Sequence, residues 1–217
     1  MEIPLIKTID LGYEVDGKTI LKGINLAIEP GEFLTITGPS GSGKSTLLKI
    51  MATMLSSTEG QLFYQNKSIE EYEPTAYRKE VSYCFQTATL FGETVKDNLA
   101  FPFEIRDQTF NQEKAFSALK SVGLEKEYLT KSVNSLSGGE KQRVALIRNM
   151  LFMPKVLLLD EVTSALDEEN QIIIRSLIHQ LNQKQGLTIV WVTHNAQEIQ
   201  SSNRMIRLIN GVVEEAK

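Results

Sequence analysis

The run Gly38-Pro39-Ser40-Gly41-Ser42-Gly43-Lys44-Ser45 has the spacing G-x-x-x-x-G-K-S. Its glycines let the backbone curl so that successive N–H groups converge on one anion. Lys44 supplies a cation suited to β- and γ-phosphates, the Ser45 hydroxyl suits Mg²⁺, and Thr46 continues the phosphate-facing turn. A second candidate is Asp160-Glu161, which follows the apolar run Val156-Leu157-Leu158-Leu159. A strand ending this way projects carboxylates to the sheet edge where ligands bind in open α/β folds. Asp160 would then hold Mg²⁺ through water, and Glu161 would polarise an attacking water. Alone, the acid pair could equally cap a helix; beside a phosphate loop it becomes specific. A third candidate lies within Ser135-Leu136-Ser137-Gly138-Gly139-Glu140-Lys141-Gln142-Arg143. There Ser137 and two glycines open a helix, so free N–H groups and a hydroxyl face an anion.

These residues need a scaffold. The apolar, β-branched stretch 32–37 predicts a strand before the phosphate loop, and 46–51 predicts a helix after it. That strand–loop–helix order is the context the motif requires. Upstream, 5–37 reads as short strands, with turn signals at Asp16-Gly17 and Pro30-Gly31, so a small antiparallel sheet is expected first. Strands are also predicted at 61–64 and 81–85, with the acidic stretch 70–73 between them as a surface turn. From 86 to 150 helical periodicity takes over: 95–103 closed by Pro102, 112–122 ended by Gly123, and 138–151. A buried strand at 156–159, a long helix at 167–184, a second buried strand at 187–193 and a closing hairpin around Asn210-Gly211 complete the chain. The expected fold is α/β. A mixed-sheet core with an N-terminal antiparallel part occupies 1–85 and 151–217, and an α-helical subdomain is inserted at 86–150, all within one domain of 1–217.

Composition narrows the class. The 217 residues are 41% hydrophobic and 23% charged, with a net charge of −4, as in a soluble globular protein. That balance gives no electrostatic reason to expect nucleic acid. Cys84 is the single cysteine, so no internal disulfide is possible. No apolar run exceeds four residues, against roughly 20 for a membrane-spanning helix and about 7–15 for the core of a signal peptide. The expectation is a chain that is neither inserted nor exported by those routes, with any membrane association made through a partner.

Leu136-Ser137-Gly138-Gly139-Glu140, downstream of the phosphate loop and upstream of Asp160-Glu161, resembles the signature of ABC ATPases, and the pattern extends over essentially the whole chain. The resemblance implies a P-loop nucleoside triphosphatase core and an ATP hydrolase using Mg²⁺. It also implies a head-to-tail pair of two copies, in which Leu136–Glu140 of one copy completes the ATP site built on Gly38–Thr46 of the other. Residue by residue, Tyr13 resembles the aromatic that stacks on adenine. Gln86 resembles the Q-loop glutamine that senses Mg²⁺ and the γ-phosphate, and with Ser45 and Asp160 it makes up the implied metal set. Ser164-Ala165-Leu166-Asp167 matches the D-loop that crosses the dimer interface, where Asp167 also suits a helix cap. His194 resembles the switch histidine that contacts the γ-phosphate, so Glu161, His194 and Gln86 form the implied catalytic group. Asn195 departs from the family, which very often has aspartate there, so a local cap or hydrogen bond is expected to differ. His179 sits mid-helix with no motif and is given no role.

The stretch 82–106, with 148–155, is similar to the ATPase subunit of Fet-type bacterial exporters, associated with iron export. That likeness implies a separate integral membrane permease docking near 87–106, and a cytoplasmic location at the inner face of a bacterial plasma membrane. The rival is a soluble ABC ATPase acting on nucleic acid or ribosomes. Such relatives typically carry two cassettes or a long coiled-coil insertion, whereas this chain has one cassette and no heptad run.

Overall fold

A computed structural model describes residues 3–215. In order, the elements are β1 (Ile6–Val15), β2 (Lys18–Ile28), β3 (Phe33–Thr37), α1 (Lys44–Met51), β4 (Glu59–Tyr64), β5 (Lys67–Ser68), α2 (Pro74–Glu80), β6 (Val81–Cys84), α3 (Val95–Glu104), α4 (Gln112–Ser121), α5 (Gly138–Met150), β7 (Val156–Asp160), α6 (Glu168–Gln185), β8 (Thr188–Val192), α7 (Ala196–Gln200), β9 (Arg204–Ile209) and β10 (Val212–Glu215). Short 3₁₀ turns lie at Ile69–Glu71, Lys126–Thr130 and Val133–Ser135.

The described residues form two sheets. One is four-stranded and antiparallel, in the order β2-β1-β4-β5; the other is six-stranded, in the order β10-β9-β3-β8-β7-β6. In the second, β3 runs parallel to β8 and β9, β7 runs parallel to β8, and β9 and β10 form an antiparallel hairpin. Every residue of β7 and β8 is buried, which is why their sequences are continuous apolar runs rather than alternating ones. The first strands are longer than the sequence suggests, 10 and 11 residues. Asp16 and Gly17, both at positive φ, turn one into the other with Val15 opposite Lys18, the backbone that a two-residue hairpin requires.

Two local expectations are corrected. Pro102 does not close α3: the helix continues to Glu104, because Val95, Leu99 and Phe103 form a buried stripe at helical spacing. Thr94 and Asp97 make a capping box at its start, and the Ile105 N–H reaches the Phe101 carbonyl at 3.1 Å beyond the proline. Helix α2 carries no apolar periodicity, and only its start shows in the sequence. Glu73, expected in a solvated turn, is its N-cap, accepting from the Ala76 N–H at 2.7 Å ahead of Pro74.

The chain divides into two units, lying within Met1–Tyr83, Lys155–Glu161 and Asn182–Lys217 for the first, and Cys84–Pro154 and Val162–Leu181 for the second. The first is built on a core including Ile6, Leu34, Leu47, Leu158, Val190 and Ile206. The second has its own core, with Leu99, Phe103, Leu119, Val144 and Ile147 buried together. It also contains Cys84, whose buried sulfur accepts from Asn149 Nδ2 at 3.0 Å. Burial pushes that thiol up to about 12.

Candidate functional site

The phosphate loop joins β3 to α1. Gly38 lies at φ +139°, and a Cβ there would sit 2.0 Å from the Leu208 carbonyl oxygen, so only glycine fits where the loop leaves the sheet. Pro39, Ser40 and Gly41 are exposed, while Ser42 and Gly43 are buried. Ser42 donates its N–H to the Pro39 carbonyl at 3.3 Å, which closes the curl. Lys44 is only 5% exposed. Its Nζ donates to the carbonyls of Gly38 at 2.8 Å and Pro39 at 2.9 Å. Burial lowers its pKa below the ordinary amine value, and the charges of Glu161 and Asp160 oppose that shift. Thr46 is half-buried in the first turn of α1.

Strand β7 delivers the two acids. Asp160 is buried and both of its oxygens are engaged: Ser45 Oγ donates to Oδ1 at 2.9 Å and the Tyr83 hydroxyl donates to Oδ2 at 2.6 Å. Tyr83 is absent from the sequence-based site, since nothing in a strand tyrosine marks where its hydroxyl goes. Glu161 lies at φ +48°, a left-handed backbone that costs a non-glycine residue roughly 1–3 kcal/mol. Its N–H donates to the Val192 carbonyl at 3.0 Å, tying it to β8. His194, just beyond β8, places Nε2 3.5 Å from Glu161 Oε1. The first unit thus brings Lys44, Ser45, Asp160, Glu161 and His194 together. Asn195 N-caps α7, accepting from the Gln197 N–H at 2.9 Å, so amide serves where the family pattern has carboxylate. Tyr13 lies in β1 opposite Leu21, half-buried against the first unit's core.

The second unit holds the other candidates. Ser137 N-caps α5 in a capping box with Glu140: the Glu140 N–H meets Ser137 Oγ at 3.2 Å, and Glu140 Oε2 accepts the Ser137 N–H at 2.7 Å. Gly138 and Gly139 occupy the first helical turn, where N–H groups have no intrahelical acceptor. The Tyr128 hydroxyl donates to Glu140 and is the main reason its carboxyl lies below the ordinary range. Leu136 is buried. Asp167 opens α6, accepting from the Asn170 N–H at 2.9 Å and from Asn170 Nδ2 through both of its oxygens. Asn170 lies against Gly139, so a side chain there would meet Asn170 Nδ2 at 2.6 Å. Gln86 and Ser164 are exposed, and Gln86 Nε2 donates to Ser164 Oγ at 3.4 Å. Ala165 is exposed and Leu166 half-buried.

The hydroxyl of Ser45 and the carboxylate of Asp160 are hard oxygen donors, the set Mg²⁺ uses beside phosphate oxygens and water. No group of three or more His, Cys, Asp or Glu among the described residues forms a metal cage. A glycine loop with its lysine and serine set against paired strand-end acids defines a nucleoside triphosphatase of the P-loop class.

A family model described as "ABC transporter" matches residues 21–164. Over 205 residues the chain is 47% identical to the probable iron export ATP-binding protein FetA of Escherichia coli (strain K12), covering 94% of this chain and 91% of that protein. It is 35% identical to the spermidine/putrescine import ATP-binding protein PotA of Borreliella afzelii (strain PKo), covering 96% of this chain but only 60% of that longer relative. Among solved structures, the ATP-binding cassette MJ0796, in a dimeric post-hydrolysis state bound to ADP and Pi, superposes with a TM-score of 0.87 at 31% identity, covering 98% of this chain and 99% of that one. The chain belongs to the ABC transporter family, and it is an ATP-binding cassette ATPase with the P-loop fold expected from its sequence.

Proposed function

We propose that this chain is the ATP-hydrolysing subunit of a bacterial membrane transporter, that two copies pair head to tail around two ATP molecules, and that the pair drives a separate permease exporting a metal ion of the iron type. The observation that carries the hydrolytic part is the joint placement of Lys44, Ser45, Asp160, Glu161 and His194. The cargo rests on likeness to a protein described as a probable iron exporter; the polyamine importer, at lower identity, marks how far cargo varies among such cassettes. No helix among the described residues is long and apolar enough to cross a membrane, so passage through a bilayer belongs to the permease. Segment 87–106 supports docking: Phe91, Phe101 and Ile105 are each about two-fifths exposed, at 42%, 41% and 42%, and solvent-facing aromatics of this size suit a partner surface.

In the proposed mechanism Tyr13 stacks on adenine, and the N–H groups from Gly41 to Thr46 take the phosphates at the head of α1. Lys44 exchanges the Gly38 and Pro39 carbonyls for β- and γ-phosphate oxygens. Ser45 and Asp160 hold the cation's side of the site; when bound, Mg²⁺ neutralises charge on the β- and γ-phosphates. Glu161 accepts a proton from the water whose oxygen bonds to the γ-phosphorus as the bond to the β–γ bridging oxygen breaks and ADP leaves, and His194 contacts the γ-phosphate. Ser137 and the N–H groups of Gly138 and Gly139 meet the γ-phosphate held by the partner copy, while Ser164–Asp167 lie along the shared interface. Glu161→Gln keeps the phosphate cradle and removes the base. Turnover is expected to fall about 10²–10⁴-fold, while ATP shifts the variant to a dimer on size-exclusion chromatography. A variant that binds ATP and stays monomeric would overturn the composite site. Recovery of the wild-type chain from cells with ribosomes or DNA alone, and never with a membrane protein, would sink the transporter role.

A further inference from the structure

We infer that Tyr83 is a positioning residue for the metal-facing carboxylate of Asp160, an assignment that rests on the ATPase function proposed above. Asp160 is 5% exposed, so each of its oxygens needs a hydrogen-bond donor within the protein. Ser45 Oγ supplies one to Oδ1 at 2.9 Å, and the Tyr83 hydroxyl supplies the other to Oδ2 at 2.6 Å. A hydroxyl-to-carboxylate bond of that length is charge-assisted and among the stronger protein hydrogen bonds. The phenol is carried at the end of β6, and the carboxylate at the end of β7, neighbours in the six-stranded sheet. Neither group can swing freely.

The consequence is directional. With Oδ2 taken by Tyr83, the plane of the carboxylate is fixed and Oδ1 is the oxygen that faces Ser45. The serine proton points at Oδ1, which leaves the lone pairs of Ser45 Oγ for a cation. Removing the phenol oxygen frees Oδ2 to rotate toward Ser45, so the serine proton is shared between two acceptors and its oxygen loses a defined aim. Outer-shell partners of metal sites typically contribute 10–100-fold in metal affinity. Tyr83 reaches the metal side of the site through the Asp160 carboxylate, so the effect expected of its hydroxyl is on metal affinity.

The test uses full-length wild type and Tyr83→Phe, which keeps the ring. Each is loaded with a non-hydrolysable ATP analogue and titrated with Mn²⁺ as the spectroscopic stand-in for Mg²⁺, the free aquo ion being followed by electron paramagnetic resonance. Tyr83→Phe is expected to bind Mn²⁺ about tenfold more weakly, with analogue affinity in EDTA unchanged and the thermal midpoint lowered by only about 2–4 °C for the lost bond. In the Asp160→Asn background the same substitution is expected to add nothing to the loss of Mn²⁺ affinity, since the phenol acts on the metal through that carboxylate. Equal Mn²⁺ affinity in wild type and Tyr83→Phe overturns the assignment. So does an additive loss in the double variant, or a loss of metal-free analogue affinity, which would mark a general structural role. A wild-type chain that binds neither analogue nor Mn²⁺ would instead overturn the nucleotide site itself, and the assignment with it.

Discussion

Lys44 shows how much a single residue's chemistry depends on what already holds it. Its ammonium is buried and donates to two carbonyls of its own loop, so binding phosphate exchanges hydrogen bonds rather than creating them from nothing. What favours the exchange is charge: the bonds to the loop carbonyls are ionised on the donor side alone, whereas bonds to phosphate oxygens are ionised on both sides. Lys44→Ala is therefore expected to weaken ATP binding about 100-fold, which calorimetry would read directly; unchanged binding would overturn its role. The lysine, the glycines and the acid pair were legible before any coordinates, because their chemistry needs those residue types at that spacing. Tyr83 was not, since its hydroxyl meets Asp160 only through the pairing of distant strands. The positive φ of Glu161 was equally hidden: an acid after an apolar run carries no sign of backbone strain.

Among the elements, α5 is the most legible, because Ser137 and Glu140 stand three apart ahead of an apolar-periodic run. The hydroxyl that Tyr128 sends to Glu140 comes from a 3₁₀ turn that no periodicity announces. That bond lowers the pKa of Glu140 below its ordinary 4.5. The folded state thus prefers the ionised form. The stabilisation is complete above about pH 4.5 and is lost as pH falls through the lower folded value. Tyr128→Phe is expected to lower the melting temperature by about 2–4 °C at pH 7, for a loss of about 1 kcal/mol. Its melting curve should also flatten on the acid side relative to wild type; parallel slopes between about pH 5 and 3 would refute the link. Helix α3 teaches the opposite lesson about local signals. Proline is a helix breaker in isolation, yet the buried Val95, Leu99 and Phe103 stripe carries the helix past Pro102.

For the whole molecule, the sequence predicts a core at 1–85 and 151–217 with a helical part at 86–150. It held no mark that Val162–Leu181, which follows β7, belongs with the second unit. That grouping depends on side chains such as Ile173 and Leu177 packing on the second core, a long-range fact. The same unit exposes Phe91 and Phe101, whose rings meet edge-on at 5.2 Å. If this face seats the proposed permease, replacing both with alanine should abolish co-purification with the membrane partner and leave the melting temperature nearly unchanged. A large fall in stability would instead assign the pair to the core.

Cys84 adds a practical consequence. A buried sulfur whose proton leaves only near pH 12 offers almost no thiolate to an alkylating dye at neutral pH. Modification must await a local opening around the end of β6, so in an otherwise cysteine-free chain the rate of dye uptake measures how often that opening occurs. Run with and without ATP, such labelling reports on the surroundings of Cys84 with no engineered probe.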